Sequence, residues 1–498
     1  MTRPSLHTGV SRRVLGAGVL GTLLLAVGGV GVGAVPRYKD AVASLLGLQS
    51  LHRSFAGRTI ALVLVVTGIL LVAAAWWRVG QLLHVLTPRN VLVIAGLWSL
   101  PLLFAPPMFS RDVYAYAGQG HLVASGVDPY VWGPGYLNDK FSDSVDGVWQ
   151  WTPSPYGPVF LWVAGRLVAL AGNHVIPAIV MLRLLAVAGL LLVAWALPKL
   201  ARAHGVPAQR ALWLGVANPF VLIHGVGGAH NDALMVGLLV AGLAVAGRDP
   251  STRRLVLATA IVSTAALVKV PAAAGLAFLP LTVLGGWRPR LRAAALVGAT
   301  TAVTTVVLTY ASGLGWGWLE TLNVGSARLS VFSPVTGAGV LVGNLLTRVG
   351  LVDSPGPVLR LFFTGGLVVA GGVAVVLLLR AHKLGPLRAL GLTLVAVVAL
   401  APVVQPWYLL WGLVLLAAVG GEQVVLALGA LSVALCLAVL PNGRSLVRPP
   451  LYGLPVLAAG SLAALEVRRS AHRILERDRM VLVAPTPLVA PSVTSAAP

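Results

Sequence analysis

The sequence of 498 residues holds one cysteine, Cys436, and it lies inside an apolar run. A disulfide framework and a cysteine metal site are thereby excluded. Charge is also scarce: 10% of residues are charged, against about 25% in a soluble domain. Acid is scarcer than base, with 14 Asp and Glu against 36 Lys and Arg. A net charge of +22 raises the question of a nucleic-acid partner. The distribution answers it in the negative, because the basic residues stand in short clusters between apolar runs. That is the pattern of cytoplasmic loops in a membrane protein. With 57% hydrophobic residues, the chain reads as an all-α polytopic membrane protein.

A spanning helix needs about 20 apolar residues. Arg12 and Arg13 precede an apolar run from Val14 to Val35, longer than the roughly 7–15 residues of a signal-peptide core, so it reads as the first span, entering from the cytoplasm. Further spans are expected at Thr59–Trp77, Val91–Pro106, Val175–Leu197, Leu212–Val226, Ala233–Ala246, Ala293–Tyr310 and Val358–Leu379. Leu255 to Leu284 is too long for one span and has Lys269 near its middle, followed by Pro271; it reads as two spans meeting outside at Lys269. Val159–Gly172 is short and holds Arg166. Counted as a span it would put Lys199, Arg202, His204 and Arg210 outside, against the positive-inside rule, so it reads as a helix in the outer interface. Val335–Val349 reads as a second non-spanning stretch. The expected total is about fourteen transmembrane helices with both termini inside. Residues 1–466 form the membrane domain, with a first external loop at 107–174. Residues 467–498 form a basic cytoplasmic tail whose Pro-, Ala-, Ser- and Val-rich end lacks a packing pattern and reads as disordered.

The wet stretch from Ser110 to Pro158 stands apart from the rest. It holds five of the 14 acidic residues, Asp112, Asp128, Asp139, Asp143 and Asp146. It also holds Tyr114, Tyr116, Tyr130, Trp132, Tyr136, Trp149, Trp151 and Tyr156. Carboxylates bind or deprotonate hydroxyls and aromatic rings stack on pyranose faces, so the composition suits a sugar. An ordinary loop with interfacial aromatics has the same composition. The rest of the topology decides between them.

That topology gathers one set of polar groups at the outer face. Asp112, His121 and Asp128 lie in the first loop, and Asn173, His174 and Arg183 at the start of the fourth span. His224, His230, Asn231 and Asp232 lie at the next outer turn, and Lys269, Arg328, Arg360 and Gln405 complete the set. Ionisable groups at the edge of spans are costly and mark a site by default. Taken singly, Arg183 and Arg360 fit snorkelling, and the His-Asn-Asp run fits a helix cap. Together they suit transfer from a lipid-linked phosphate donor. The departing phosphate needs cations, for which Lys269, Arg183, Arg328 and Arg360 are candidates. The attacking hydroxyl needs a base, and Asp112, a few residues after the third span, is the best placed. Tyr116 and Gly120 share its face if a short helix follows. Asp139, Asp143 and Asp146 read as solvated.

The stretches FSRDVYAYAGQG, GVDPY, SPYGP, HGVGGAHNDALM, LVKVPA and QPWYLLW resemble the polyprenol-phosphate-mannose-dependent α-(1→6)-mannopyranosyltransferases of actinobacteria, which extend the mannan core of lipomannan and lipoarabinomannan. The resemblance runs from about Arg78 to Leu465. It implies a helical bundle of the GT-C glycosyltransferase type with external juxtamembrane helices, to which Val159–Gly172 corresponds. It implies an inverting transfer of mannose from polyprenyl-phosphate mannose to a lipid-anchored mannan acceptor, outside the plasma membrane, with Asp112 as base. Substrate contacts are expected from Tyr116, His121, Asp128, Tyr130, Tyr156, His230, Asn231, Asp232, Gln405, Trp407 and Tyr408. Many members of that superfamily carry paired acids in this loop; here Arg111 precedes Asp112, which weighs against a metal-dependent mechanism and leaves divalent-ion assistance open. No other cofactor is implied.

No residue in the set reads the axial 2-hydroxyl of mannose, so another polyprenyl-phosphate sugar is a second reading. A lipid-linked sugar transporter is a third, from another class. Transporters favour internal repeats and midplane polar groups; this chain shows neither clearly.

Overall fold

The computed structural model describes residues 12–35, 48–324, 330 and 332–444. These are helical, with no β-strand among them. The longer helices are α1 (Arg12–Val32), α2 (Phe55–Gln81), α3 (Pro88–Leu103), α4 (Asp112–Ala124), α5 (Pro158–Leu170) and α6 (Val175–Ala203). They continue with α7 (Ala208–Gly215), α8 (Pro219–Gly227), α9 (Asp232–Ala246), α10 (Thr252–Ala266) and α11 (Trp287–Ser312). The last are α12 (Pro334–Arg348), α13 (Gly356–Leu379), α14 (Pro386–Leu400), α15 (Leu410–Val419) and α16 (Glu422–Cys436).

Five of these, α1, α2, α6, α11 and α13, are long and apolar enough to cross a membrane alone. The pair α8 and α9 passes the same test together, bent by 116°. The remaining expected spans are helices of 10–17 residues, such as α3, α14, α15 and α16. The end of the expected membrane domain, residues 445–466, and the tail 467–498 lie outside the described residues.

Local chemistry accounts for where helices start and break. Thr87 and Asn90 form a reciprocal cap ahead of Pro88, and Ser251 Oγ accepts the backbone N–H of Arg254 at the start of α10. The expected continuous run Leu212–Val226 is instead interrupted. Asn218 Oδ1 accepts the N–H of Phe220 ahead of Pro219, which lacks an N–H to continue the preceding helix. The chain then takes one π-helical turn, Leu222–Gly227, before it doubles back into α9. The break expected at Lys269 is present: α10 ends at Ala266, and a short 3₁₀ turn, Val270–Ala273, follows.

Helices α6 and α9 cross so closely that a Cβ on Gly237 would sit 2.3 Å from Gly189 O, and one on Gly189 would sit 2.4 Å from Ala233 O. Close approach through small residues is how membrane helices gain packing without a hydrophobic drive between them. This crossing fixes the start of α9, and with it Asp232, against α6. The expected interfacial helix Val159–Gly172 is α5, thirteen residues long, lying on α4.

Candidate active site

Asp112 is the first residue of α4, and its backbone N–H donates to Ser110 Oγ at 3.0 Å. The backbone just before it is strained, with Phe109 held at φ 63°. Strain of this kind persists only where neighbours impose it. Here the N–H of Phe109 donates to Pro441 O at 2.7 Å, and that of Met108 to Gly227 O at 3.3 Å. Arg111 turns the other way, donating to Val35 O and Ser144 O and lying over the Tyr114 ring. The loop is thus clamped to the end of α1, and Asp112 alone of the Arg-Asp pair faces the interior.

Across from it stands the His-Asn-Asp turn. His230 Nδ1 lies 3.7 Å from Asp112 Oδ2, longer than a direct hydrogen bond. The His230 ring stacks on Trp407, centroids 3.9 Å apart. The residue before it, Ala229, is a second strained position at φ 52°. Asn231 Oδ1 accepts from the Tyr116 hydroxyl at 3.3 Å. Asp232 is fully buried and matched by Lys269, whose ammonium lies 2.8 Å from both carboxylate oxygens. The indole N–H of Trp411 adds a third bond at 2.6 Å.

Aromatic rings enclose the Lys269 ammonium: Tyr408 at 4.6 Å, Trp411 at 5.6 Å and Tyr156 at 5.8 Å. Cation–π contact is worth more in such a desolvated place than at an open surface. Tyr156 meets Tyr116 edge-on at 5.3 Å, so one aromatic wall joins Lys269 to the Asp112 helix. Gly157 lets that wall form. A Cβ there would lie 2.0 Å from Leu267 O, so any side chain would push Tyr156 away from Lys269.

Six buried atoms around this centre have no partner among the described residues: both ring nitrogens of His224 and of His230, Asn231 Nδ2 and Trp407 Nε1. Buried polar atoms are normally satisfied by protein or water, so such a concentration marks a place that takes a polar guest. The Asp112 side chain keeps 20% of its exposure, whereas that of Asp232 has none. Burial pushes the Asp112 carboxyl up to about 6; Lys269 opposes the rise and Asp232 adds to it. Burial also raises the Tyr116 and Tyr156 phenols well above their usual range, so both stay neutral donors.

The structure divides the expected site residues. Asp112, Tyr116, Tyr156, His230, Asn231, Asp232, Lys269, Trp407 and Tyr408 come together; Gln405, half-buried, caps the turn that carries Trp407 and Tyr408. Tyr130 supports from behind, donating to Tyr156 O at 3.2 Å. Others belong elsewhere. Arg183 is not a free cation: its guanidinium donates to Leu103 O, Ala105 O and Gly227 O and is 3% exposed. His121 is spent on Asp139, Nε2 to Oδ2 at 2.8 Å, and stacks on Phe141. Asp139 is therefore not simply solvated, since it also caps a short helix through the N–H groups of Phe141 and Ser142. Asp128 accepts the Tyr130 N–H and lines a separate cleft of about 400 Å³ with Arg166 and Ser312. Arg360 is exposed on α13, which packs chiefly on α12 and α14. Arg328 lies outside the described residues. Among those described, no group of three or more His, Cys, Asp or Glu side chains is placed to hold a metal ion.

Sequence reasoning passed over Trp411 as a site residue. Its signal was spacing, because it follows Tyr408 by three positions and so shares a helical face with it.

Residues 14–285 match the family described as alpha-(1->6)-mannopyranosyltransferase, N-terminal domain, and residues 335–469 match the MptB C-terminal domain. The chain belongs to this alpha-(1->6)-mannopyranosyltransferase family. A probable alpha-(1->6)-mannopyranosyltransferase of Mycolicibacterium smegmatis is 36% identical over 82% of this chain and 79% of its own length. An alpha-(1->6)-mannopyranosyltransferase of Mycobacterium tuberculosis is 34% identical over 80% and 77%. Alpha-(1->6)-mannopyranosyltransferase B of Corynebacterium glutamicum is 29% identical over 86% and 77%. No solved structure matches the chain.

Proposed function

We propose that the chain is an inverting mannosyltransferase of the GT-C type, a bundle of about fourteen transmembrane helices with its site on the external face of the plasma membrane. It moves mannose from polyprenyl-phosphate mannose to a hydroxyl of a lipid-anchored mannan and forms an α-(1→6) linkage. The observation that carries this reading is the contrast between two neighbouring carboxylates. Asp232 is buried and matched by Lys269 and Trp411, whereas Asp112 is reachable, has no Lys or Arg paired with it among the described residues, and faces unpartnered polar groups.

In the reaction the acceptor 6-hydroxyl attacks C1 of the donor sugar. The C1–oxygen bond to phosphate breaks, its electron pair leaves on the polyprenyl phosphate, and the hydroxyl proton passes to Asp112. A base titrating near 6 is ionised at neutral pH and still accepts a proton readily. Lys269 gives two of its directions to Asp232, and its third N–H serves the departing phosphate. The unpartnered groups of His230, Asn231 and Trp407 take sugar hydroxyls.

The test is a transfer assay on membranes bearing wild type or Asp112→Asn, supplied with polyprenyl-phosphate mannose and an α-(1→6)-mannose oligosaccharide. Loss of product at normal protein level supports the assignment; undiminished transfer by Asp112→Asn overturns it.

A further inference from the structure

A second cavity lies at the other end of the bundle. It has a volume of about 860 Å³, and its lining comes from the ends of α6, α9 and α13, the starts of α11 and α14, and the turn after Phe278. Helix α9 measures the separation: Asp232 begins it beside Lys269, and its last turn leads to Gly247 and Arg248 in the cavity wall. Fifteen residues at about 1.5 Å each put the two sites roughly 22 Å apart along that helix.

The lining has two parts. Leu200, Leu243, Phe278, Leu378 and Leu390 form an apolar wall, and His204, Arg248, Arg290 and His382 supply cationic or ionisable groups, with no carboxylate among the lining residues. Those groups have donors to spare. His204 Nδ1 and His382 Nδ1 each lie 2.8 Å from a carbonyl one turn earlier in the chain, which can only accept, so each ring leaves Nε2 open and donates from it to an anion as the imidazolium. Arg290 gives Nε to Val283 O and keeps the outer end of its guanidinium. The cavity also abuts α13, the candidate span least covered by protein, whose Leu379 is 69% exposed. Leu378 and Leu379 are themselves lining residues, so the apolar wall continues onto that uncovered helix.

We infer that this cavity binds an anionic phospholipid, with its phosphate between Arg248, Arg290, His204 and His382 and an acyl chain along the leucine wall. Basic pockets between membrane helices recognise lipid phosphates in this way. A free phosphate satisfies the cations but leaves the apolar wall empty, which is why the lipid is the better occupant.

The experiment uses the full-length protein in detergent, titrated with phosphatidylglycerol or phosphatidylcholine of identical chains, with bound lipid counted by native mass spectrometry. Inorganic phosphate forms a third arm, read by thermal shift beside the two lipids. The expected result is retention of phosphatidylglycerol over phosphatidylcholine, weakened about fivefold by Arg248→Gln and again by Arg248→Gln with Arg290→Gln. Arg248 is exposed, so the single variant still reports if the double one misfolds. Equal retention of the two lipids overturns the proposal, as does undiminished phosphatidylglycerol binding by a folded variant. Stabilisation by inorganic phosphate equal to that by phosphatidylglycerol overturns the lipid assignment.

Discussion

At the end of the bundle that carries Asp112, the ionisable groups set inside the protein are individually matched, Asp232 to Lys269 and Arg183 to three carbonyls, while Asp128, Lys140, Asp143 and Arg166 lie exposed around them. At the other end they are many and uncovered. Lys199, Arg202, Arg248, Arg253, Arg288, Arg292, Arg380 and Lys383 are all exposed. The difference separates two uses of charge. Exposed basic clusters orient a chain in the membrane and individually contribute little to stability. Buried charges cost desolvation, which must be offset by designed partners, so each one left incompletely matched is informative. Asp112 is such a group.

The sharpest break of this comparison is Asp112→Asn. If Asp112 is the base, transfer falls by about 10²–10⁴-fold, the usual worth of positioned proton transfer, with protein level and melting temperature near wild type. Next is the matched pair. Asp232→Ala strands the Lys269 ammonium and is expected to cost about 3–5 kcal/mol, read as a fall in melting temperature in detergent. Asp232→Asn with Lys269→Met is expected to recover part of that stability without recovering transfer. A double variant no more stable than Asp232→Ala would show that the pair is not what holds this wall.

Arg183→Met comes third. It removes donors from buried carbonyls, each left at a cost of about 1–3 kcal/mol. Folded protein yield should drop while the surviving fraction keeps its apparent donor affinity. A selective rise in donor KM at normal yield would return Arg183 to the phosphate. The mildest perturbation is pH. An Asp with its pKa raised to about 6 is ionised above that value and protonated below it. Transfer should be flat near pH 7.5 and fall about tenfold per unit below pH 6, and Asp112→Asn should lose that limb.

Much of this was legible in the sequence because the membrane makes polarity conspicuous. Lys269 in an apolar run, with Pro271 after it, marked a break that is present. The short run 159–172 with Arg166 marked the helix that lies on α4. Asp112, Tyr116 and the HND turn converge because topology left them one face to share. What pattern could not supply was direction within that face. Arg183 and Lys269 look alike as lone cations, yet one faces carbonyls and the other a carboxylate, and only the crossing of α6 with α9 and the fold-back at Gly227 decide which. Nor does periodicity show a span that bends by 116° at a π-turn, since the apolar residues on both sides are the same types.

The bond between Lys269 and Asp232 also has a bearing on the order in which the protein is made. Asp232 emerges from the ribosome 37 residues before its cation and 179 before Trp411. A lone carboxylate in an inserting segment costs about 2.5–3.5 kcal/mol at depth. Helix α9 therefore stays poorly settled until α10 has turned back and delivered Lys269, and the aromatic lid over that pair closes only when Tyr408 and Trp411 have followed. Synthesis alone thus keeps the wall around Asp232 unfinished until α15 is in the membrane.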